Sequence, residues 1–319
     1  MYKNSNVLVA GGTGMIGIPL VKELLAKKAR ITVVSLDTEK YAKKIFGKEI
    51  IYKRLDLTDL KNCETSVKNQ DYVFNLLGIK GSVGIGEKKV ASYLIPMLRF
   101  QTNLMESAFN AKIKRFLFVG SICSYPRGRL HIEDNVWNGI PKQNDRIPGI
   151  AKRVGELLSE AYSLEYGWNA VRIVRPSNVY GPYDNFNPLT GQVIPSLICK
   201  AFSKENSLKV WGNGSAKRDF IYSEDIAKWI IYALEHAPHN IPINLGYGKA
   251  VTIKKLAITI RDIINPNMKI EWDKSKPTGD PCRLLSIDRA KKLLNYRPNI
   301  NLYDGLIKTI DWYKRNKKL

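Results

Sequence analysis

Val7-Leu8-Val9-Ala10-Gly11-Gly12-Thr13-Gly14-Met15-Ile16-Gly17 is the stretch that decides the fold. The apolar run 7–10 reads as a strand. The stretch 15–28 that follows places Ile16, Leu20, Leu24 and Leu25 on one face, as an amphipathic helix requires. Between them Gly11, Gly14 and Gly17 give a G-x-x-G-x-x-G spacing. Glycines so placed allow a tight turn, a close approach of backbone to a pyrophosphate, and close packing of helix on strand. As a bare string this spacing is common; between a strand and a helix it marks a dinucleotide-binding loop, with the phosphates at the helix N-terminus. Gly11, Thr13, Gly14, Met15, Ile16 and Gly17 are therefore candidate cofactor residues. A second strand over 30–36 ends at Asp37, 20 residues beyond Gly17. A carboxylate there can accept hydrogen bonds from an adenosine ribose and repel a 2′-phosphate. That favours NAD, with NADP kept open by Lys40 and Arg54 nearby.

Further strands are expected over 50–55, 72–76, 116–120 and 170–174, and helices over 60–68, 90–111 and 149–166. This alternation predicts an α/β chain with a doubly wound parallel sheet of Rossmann type. Asp56 and Leu57 after the third strand are placed to meet an adenine, and Leu77 after the fourth to line the cofactor's middle; each position suits a loop cap equally well. Beyond Arg175 the texture changes, with Pro176, Pro182, Pro188 and Pro195 inside twenty residues, and shorter helices follow near 191–203, 223–235, 253–264 and 302–315. The expected division is a dinucleotide-binding domain over 1–180, rejoined by segments at about 215–247. A smaller, interleaved C-terminal substrate-binding lobe takes 181–214 and 248–319.

With 319 residues, 44% hydrophobic and 25% charged, the chain is neither disordered nor collagen-like. Fifty-one Lys+Arg against 29 Asp+Glu give +22, which raises nucleic acid, an anionic membrane or an anionic small molecule as partner. The cations come as singles and pairs such as Lys27-Lys28, Lys43-Lys44, Lys88-Lys89 and Lys291-Lys292, and cluster only in the tail from Lys314 to Lys318. That is a lysine-rich solvated surface, so no nucleic-acid partner is expected. Cys63, Cys123, Cys199 and Cys282 stand far apart beside only three histidines, so neither a disulfide framework nor a metal site is expected, and the compartment reads as cytoplasmic. No apolar stretch approaches the roughly 18 residues a membrane helix needs.

Several strings sharpen the functional reading: Gly120-Ser121-Ile122-Cys123-Ser124-Tyr125-Pro126, Gly149-Ile150-Ala151-Lys152, Asn178-Val179-Tyr180-Gly181-Pro182-Tyr183-Asp184-Asn185-Phe186, Val193-Ile194-Pro195, Val210-Trp211-Gly212-Asn213-Gly214, Arg218-Asp219-Phe220 and Ser275-Lys276-Pro277-Thr278-Gly279. On these the chain resembles, over nearly its full length, the extended short-chain dehydrogenase/reductase family, and within it the epimerase–reductases of GDP-linked sugars. The resemblance implies hydride transfer at C4 of a hexose carried by a nucleoside diphosphate, a nicotinamide cofactor, and a homodimer formed through the helices at 90–111 and 149–166. It makes Ser121 the hydroxyl that bonds the C4 oxygen. Lys152 becomes the cation that holds the nicotinamide ribose and favours ionisation of a catalytic tyrosine. It places Asn178, Gln192, Val193, Lys200, Trp211, Arg218 and Arg283 around the nucleotide and diphosphate.

Two positions depart from the family pattern. The tyrosine expected four residues before Lys152 is Pro148, which moves no proton. Cys123 matches the cysteine of the epimerising pair, but its histidine partner is Gln192. Tyr125, Ser121 or a water held by Lys152 are left as proton-transfer groups. Two readings stand: an NAD(P)-dependent nucleotide-sugar oxidoreductase or epimerase with an atypical proton-transfer group, and a catalytically impaired relative that binds NAD or a nucleotide sugar in a regulatory or scaffolding role.

Overall fold

The structure is a computed structural model and describes residues 1–79, 90–203, 207–276 and 278–316. Lys88-Lys89, the tail lysines Lys317 and Lys318, and Pro277 fall outside them. β1 (Asn6–Ala10) leads through the glycine loop into α1 (Gly17–Ala26) and β2 (Arg30–Ser35). Next come α2 (Glu39–Phe46), β3 (Ile50–Arg54), α3 (Leu60–Val67) and β4 (Tyr72–Asn75). The chain continues through α4 (Val90–Asn110), β5 (Arg115–Val119), β6 (Leu130–His131), α5 (Arg146–Tyr166), β7 (Val171–Pro176) and β8 (Asn178–Tyr180). α6 (Val193–Ala201), β9 (Ser207–Trp211), β10 (Lys217–Tyr222), α7 (Ser223–His236) and β11 (Ile243–Leu245) follow. β12 (Ala250–Thr252), α8 (Ile253–Ile264), β13 (Lys269–Asp273), β14 (Cys282–Leu285), α9 (Asp288–Leu294) and α10 (Leu302–Asn316) complete it.

Seven parallel strands form the main sheet in the order β11-β7-β5-β4-β1-β2-β3. Both faces are covered, which is why β1 is a continuous apolar run rather than an alternating one. Val7 and Val9 enter the core beneath α1 and α7, while Leu8 and Ala10 enter the core shared with Phe116, Phe118 and Met105 of α4. The strand order runs in opposite directions from β1 and β4, and in such sheets ligands bind at the carboxyl ends of the strands around that switch point. The glycine loop follows β1, Leu77 follows β4 and Ser121 follows β5, so the topology gathers all three at one end of the sheet.

The structure adds elements the sequence did not announce. α2 is an eight-residue helix burying only Ala42 and Phe46, with Thr38 Oγ1 accepting from the Tyr41 N–H at 3.2 Å. A second sheet runs β12-β10-β14-β6, with β8 against β10, and β9 pairs with β13. Of the stretch 215–247, β11 joins the main sheet while β10 lies in the second. α5 starts three residues earlier than expected, at Arg146, so that Pro148 occupies its first turn, where a missing N–H costs nothing. Among the described residues no helix is long and apolar enough to cross a membrane, and no group of His, Cys, Asp or Glu could hold a metal ion.

Candidate active site

Gly11 adopts φ +80° and turns the chain out of β1, its N–H donating to Val34 O at 2.8 Å. A Cβ on Gly17 would collide with the carbonyl oxygen of Gly11, so α1 can begin this close to the loop only on glycine. Gly12, which the spacing did not single out, is equally cramped: a Cβ there would lie 2.9 Å from a Val33 methyl. Thr13 and Met15 are buried and Ile16 packs against the core, so the loop meets a ligand mainly through its backbone and the exposed Gly14. α1 has no side-chain cap and no acidic residue in its first turn, whereas Thr38 caps α2 and Asp59 caps α3. An uncapped, acid-free helix start is what a pyrophosphate requires, and the residues present fit a dinucleotide.

Thr13 Oγ1 donates to Asp37 Oδ2 at 2.6 Å, and the Tyr52 hydroxyl donates to Asp37 O at 2.6 Å. Asp37 is thereby fixed against the loop with its carboxylate exposed, while Arg54 Nε is spent on Leu36 O at 3.0 Å. Asp56 Oδ1 accepts from the Thr58 N–H at 2.9 Å, a loop-capping bond. Leu57 buries its side chain in the core with Cys63 and Val67, which leaves its backbone as the part that can meet an adenine.

Lys152 lies on α5 one turn beyond Pro148, 6% exposed, with Nζ donating to Leu77 O at 2.8 Å and 5.2 Å from the centre of the Phe118 ring. Burial pushes its amine down to about 8, against the opposing pull of Glu156 and Cys123. Ser121 caps a 3-10 turn over Ile122–Ser124, its Oγ accepting from the Cys123 N–H at 3.1 Å and keeping its own proton to donate. Gly149 of α5 presses on this turn so closely that a Cβ would strike Cys123 O. Burial raises the Cys123 thiol and Asp145 raises it further, outweighing the opposing effect of Arg283. The surroundings of Cys123 thus favour the thiol over the thiolate that a base of the epimerising pair would need.

The expectation of Tyr125 as a proton-transfer group is corrected. It is buried, with its ring stacked on His131, its hydroxyl donating to Asn244 Oδ1 at 2.6 Å and accepting from Arg175 Nη1 at 2.9 Å. Arg175 in turn grips Glu156 through two bonds of 2.9 and 2.6 Å. Burial pushes the phenol up to about 12. Tyr125 braces the turn that carries Ser121 from below and has no hydroxyl to spare for a substrate.

Arg218 and Arg283 are register partners on β10 and β14. Arg218 Nη1 donates to Asp280 O at 2.7 Å, and Arg283 Nη2 donates to Ile122 O at 3.2 Å. Two adjacent guanidinium groups suit a diphosphate. Trp211 is 53% exposed, with Lys200 Nζ and Lys276 Nζ 5.4 and 5.9 Å from its ring centre, so it offers a face for stacking and is not core. Asn178 Nδ2 donates to Asp219 O at 2.8 Å. Gln192 is exposed at the start of α6 without capping it, and Val193 beside it is half-buried.

A family model described as the NAD dependent epimerase/dehydratase family matches residues 7–246. The chain belongs to the NAD dependent epimerase/dehydratase family. Its relatives include GDP-L-fucose synthase 1 of Arabidopsis thaliana, 30% identical over 98% of this chain and 94% of that one. GDP-L-fucose synthase of Escherichia coli is 28% identical over 98% and 97%. A GDP-L-fucose synthetase structure from Naegleria fowleri superposes with a TM-score of 0.84 at 22% identity, covering 100% of this chain and 95% of that one, which shows the shared fold. As a member of the epimerase/dehydratase family the chain is an enzyme that takes a nicotinamide dinucleotide. Two polar residues of the site went unread in the sequence. Asp145, just ahead of α5, lies 2.9 Å from Arg283. Asp219 is wholly buried and accepts the N–H groups of Tyr247 and Gly248 at 3.0 and 3.3 Å. Neither lies on a periodic stretch, and only the string Arg218-Asp219-Phe220 pointed near the second.

Proposed function

We propose that the protein is an NAD(P)-dependent oxidoreductase of GDP-linked hexoses, acting at C4 and preferring NAD. The cofactor supplies or accepts the hydride when bound; the chain's own residues handle the proton. Ser121 holds the C4 oxygen, and a water held by Lys152 exchanges the proton that a tyrosine would exchange from position 148. The observation that carries this reading is the place of Lys152, buried on α5 one turn beyond Pro148 with Nζ donating to Leu77 O at 2.8 Å, and the depressed acidity range that burial gives its amine suits proton transfer near neutral pH. Arg218 and Arg283 take the diphosphate, with Asn178, Val193, Lys200 and Trp211 around the nucleotide.

The amide of Gln192 moves no proton and Cys123 rests as a thiol, so the sugar is reduced or oxidised without inversion of the neighbouring carbons. Turnover of a GDP-4-keto-hexose in D2O tests this: product without deuterium at C3 and C5 supports it, and deuterium there overturns it. Val90 and Ile95 on α4 and Leu157 and Leu164 on α5 are exposed, which supports pairing of two copies through these helices, to be checked by sedimentation. Four cysteines outside any disulfide suit a reducing cytoplasm.

A further inference from the structure

Asp145 stands at the N-cap position of α5, yet its side chain accepts no hydrogen bond from the helix's first turn. A carboxylate at such a position ordinarily accepts one there, so this side chain is turned to another use. Its Oδ2 is buried, 2.9 Å from Arg283 Nη2 and 3.5 Å from Lys142 Nζ, and no donor among the described residues is aligned with it. The ion pair with Arg283 compensates its charge and leaves lone pairs that no aligned donor fills, which a ligand donor can complete. Asp280, the neighbouring carboxylate, differs: its Oδ2 takes a direct hydrogen bond from Lys142.

The placement says what would complete Asp145. On one side it pairs with Arg283, whose strand neighbour is Arg218. On the other its charge acts on the Cys123 thiol, two residues from Ser121. Asp145 thus lies beside both the arginine taken for the diphosphate and the turn that carries Ser121, and the ring hydroxyls of a hexose held between them are donors. We infer that Asp145 is a specificity-determining residue whose carboxylate accepts a hydrogen bond from a ring hydroxyl of the bound hexose. The inference rests on the GDP-hexose reading, in which the diphosphate competes with Asp145 for Arg283.

The test is calorimetric titration of GDP and of GDP-mannose into the wild type, Asp145→Ala and Asp145→Asn. The Ala variant is expected to bind GDP-mannose ~10-fold or more weakly while GDP is held as tightly as before or more so. Parallel losses for both ligands, or no change in their ratio, overturn the inference. Alkylation of Cys123 gives a second readout: without the carboxylate its pH profile moves to lower pH. If all four cysteines of the Ala variant react at once, the chain has unfolded and the Asn variant decides. The same ligand-selective loss, smaller in size, supports the inference there, and an unchanged ratio overturns it. A wild type that binds neither ligand defeats the GDP-hexose reading itself and takes this inference with it, whereas one that binds both with a ratio no variant alters defeats the inference alone.

Discussion

Thr13 Oγ1 donates a 2.6 Å hydrogen bond to Asp37 Oδ2, tying the phosphate loop to the end of β2. The carboxylate proposed for an adenosine ribose is thus oriented by the loop proposed for the pyrophosphate. The expected consequence is that Asp37→Ser lowers NADH affinity and relieves repulsion of NADPH, shifting the preference by ~10-fold or more, as losing a charge-assisted hydrogen bond should. Thr13→Val should shift it in the same direction by less. Fluorescence titration with both cofactors reads the ratio; an unmoved ratio removes Asp37 from cofactor choice.

Tyr125→Phe removes bonds to Asn244 and Arg175 and nothing that touches a substrate. It should cost ~1–3 kcal/mol of stability in denaturant unfolding and leave turnover near the wild-type level. Glu156→Gln, which leaves Arg175 buried with half its partner, should cost more, ~3–5 kcal/mol. Loss of turnover with stability intact in Tyr125→Phe would return that tyrosine to the chemistry.

Burial pushes the Asp219 carboxyl up to about 7, against the hydrogen bonds from Gly248 and Tyr247. The native state therefore binds more protons than the unfolded state between about pH 4 and pH 7, and this group's contribution to stability falls as pH rises through that window. His131, pushed down to about 4 by burial, has the opposite slope between about pH 4 and pH 6.5. The difference between wild type and Asp219→Asn isolates the carboxyl. On moving from about pH 5 to about pH 8 that difference should shift in favour of the variant. A difference independent of pH would contradict the assignment.

The strands around the glycine loop were legible because β1, β2, β4 and β5 are short apolar runs set off by turns, and because Gly11 and Gly17 announce a strand-to-helix turn. α2 was not, because half of its eight residues are charged and its apolar face, Tyr41-Ala42 and Ile45-Phe46 one turn apart, is too short to stand out, burying only Ala42 and Phe46. The second sheet was hidden for a different reason: β6 and β14 pair residues such as His131 and Leu285, far apart in sequence, over two positions. Tyr125 looked catalytic by its place in a string, and only Asn244 and Arg175, 119 and 50 residues away, show it to be a brace. Asp145 gave no local signal because its meaning comes from Arg283 on β14.

Lys152, with its amine pushed down to about 8, should give kcat/KM for ketone reduction a falling limb as pH passes that value, because the neutral amine no longer acidifies the water that supplies the proton. Lys152→Met should abolish the limb together with most of the turnover. A profile flat to about pH 10 would show that Lys152 stays charged or takes no part.

The central claim is C4 redox chemistry on a GDP-hexose in a site whose tyrosine position is Pro148. It is tested most directly by following nicotinamide absorbance when NAD(P)H and a GDP-4-keto-hexose are mixed with the wild type and with Pro148→Tyr. The account predicts measurable oxidation of the cofactor by the wild type and a gain on the order of 10²- to 10⁴-fold in the variant, the usual worth of a placed acid–base group. No absorbance change with either protein would contradict it and leave a chain that binds its ligands without transforming them.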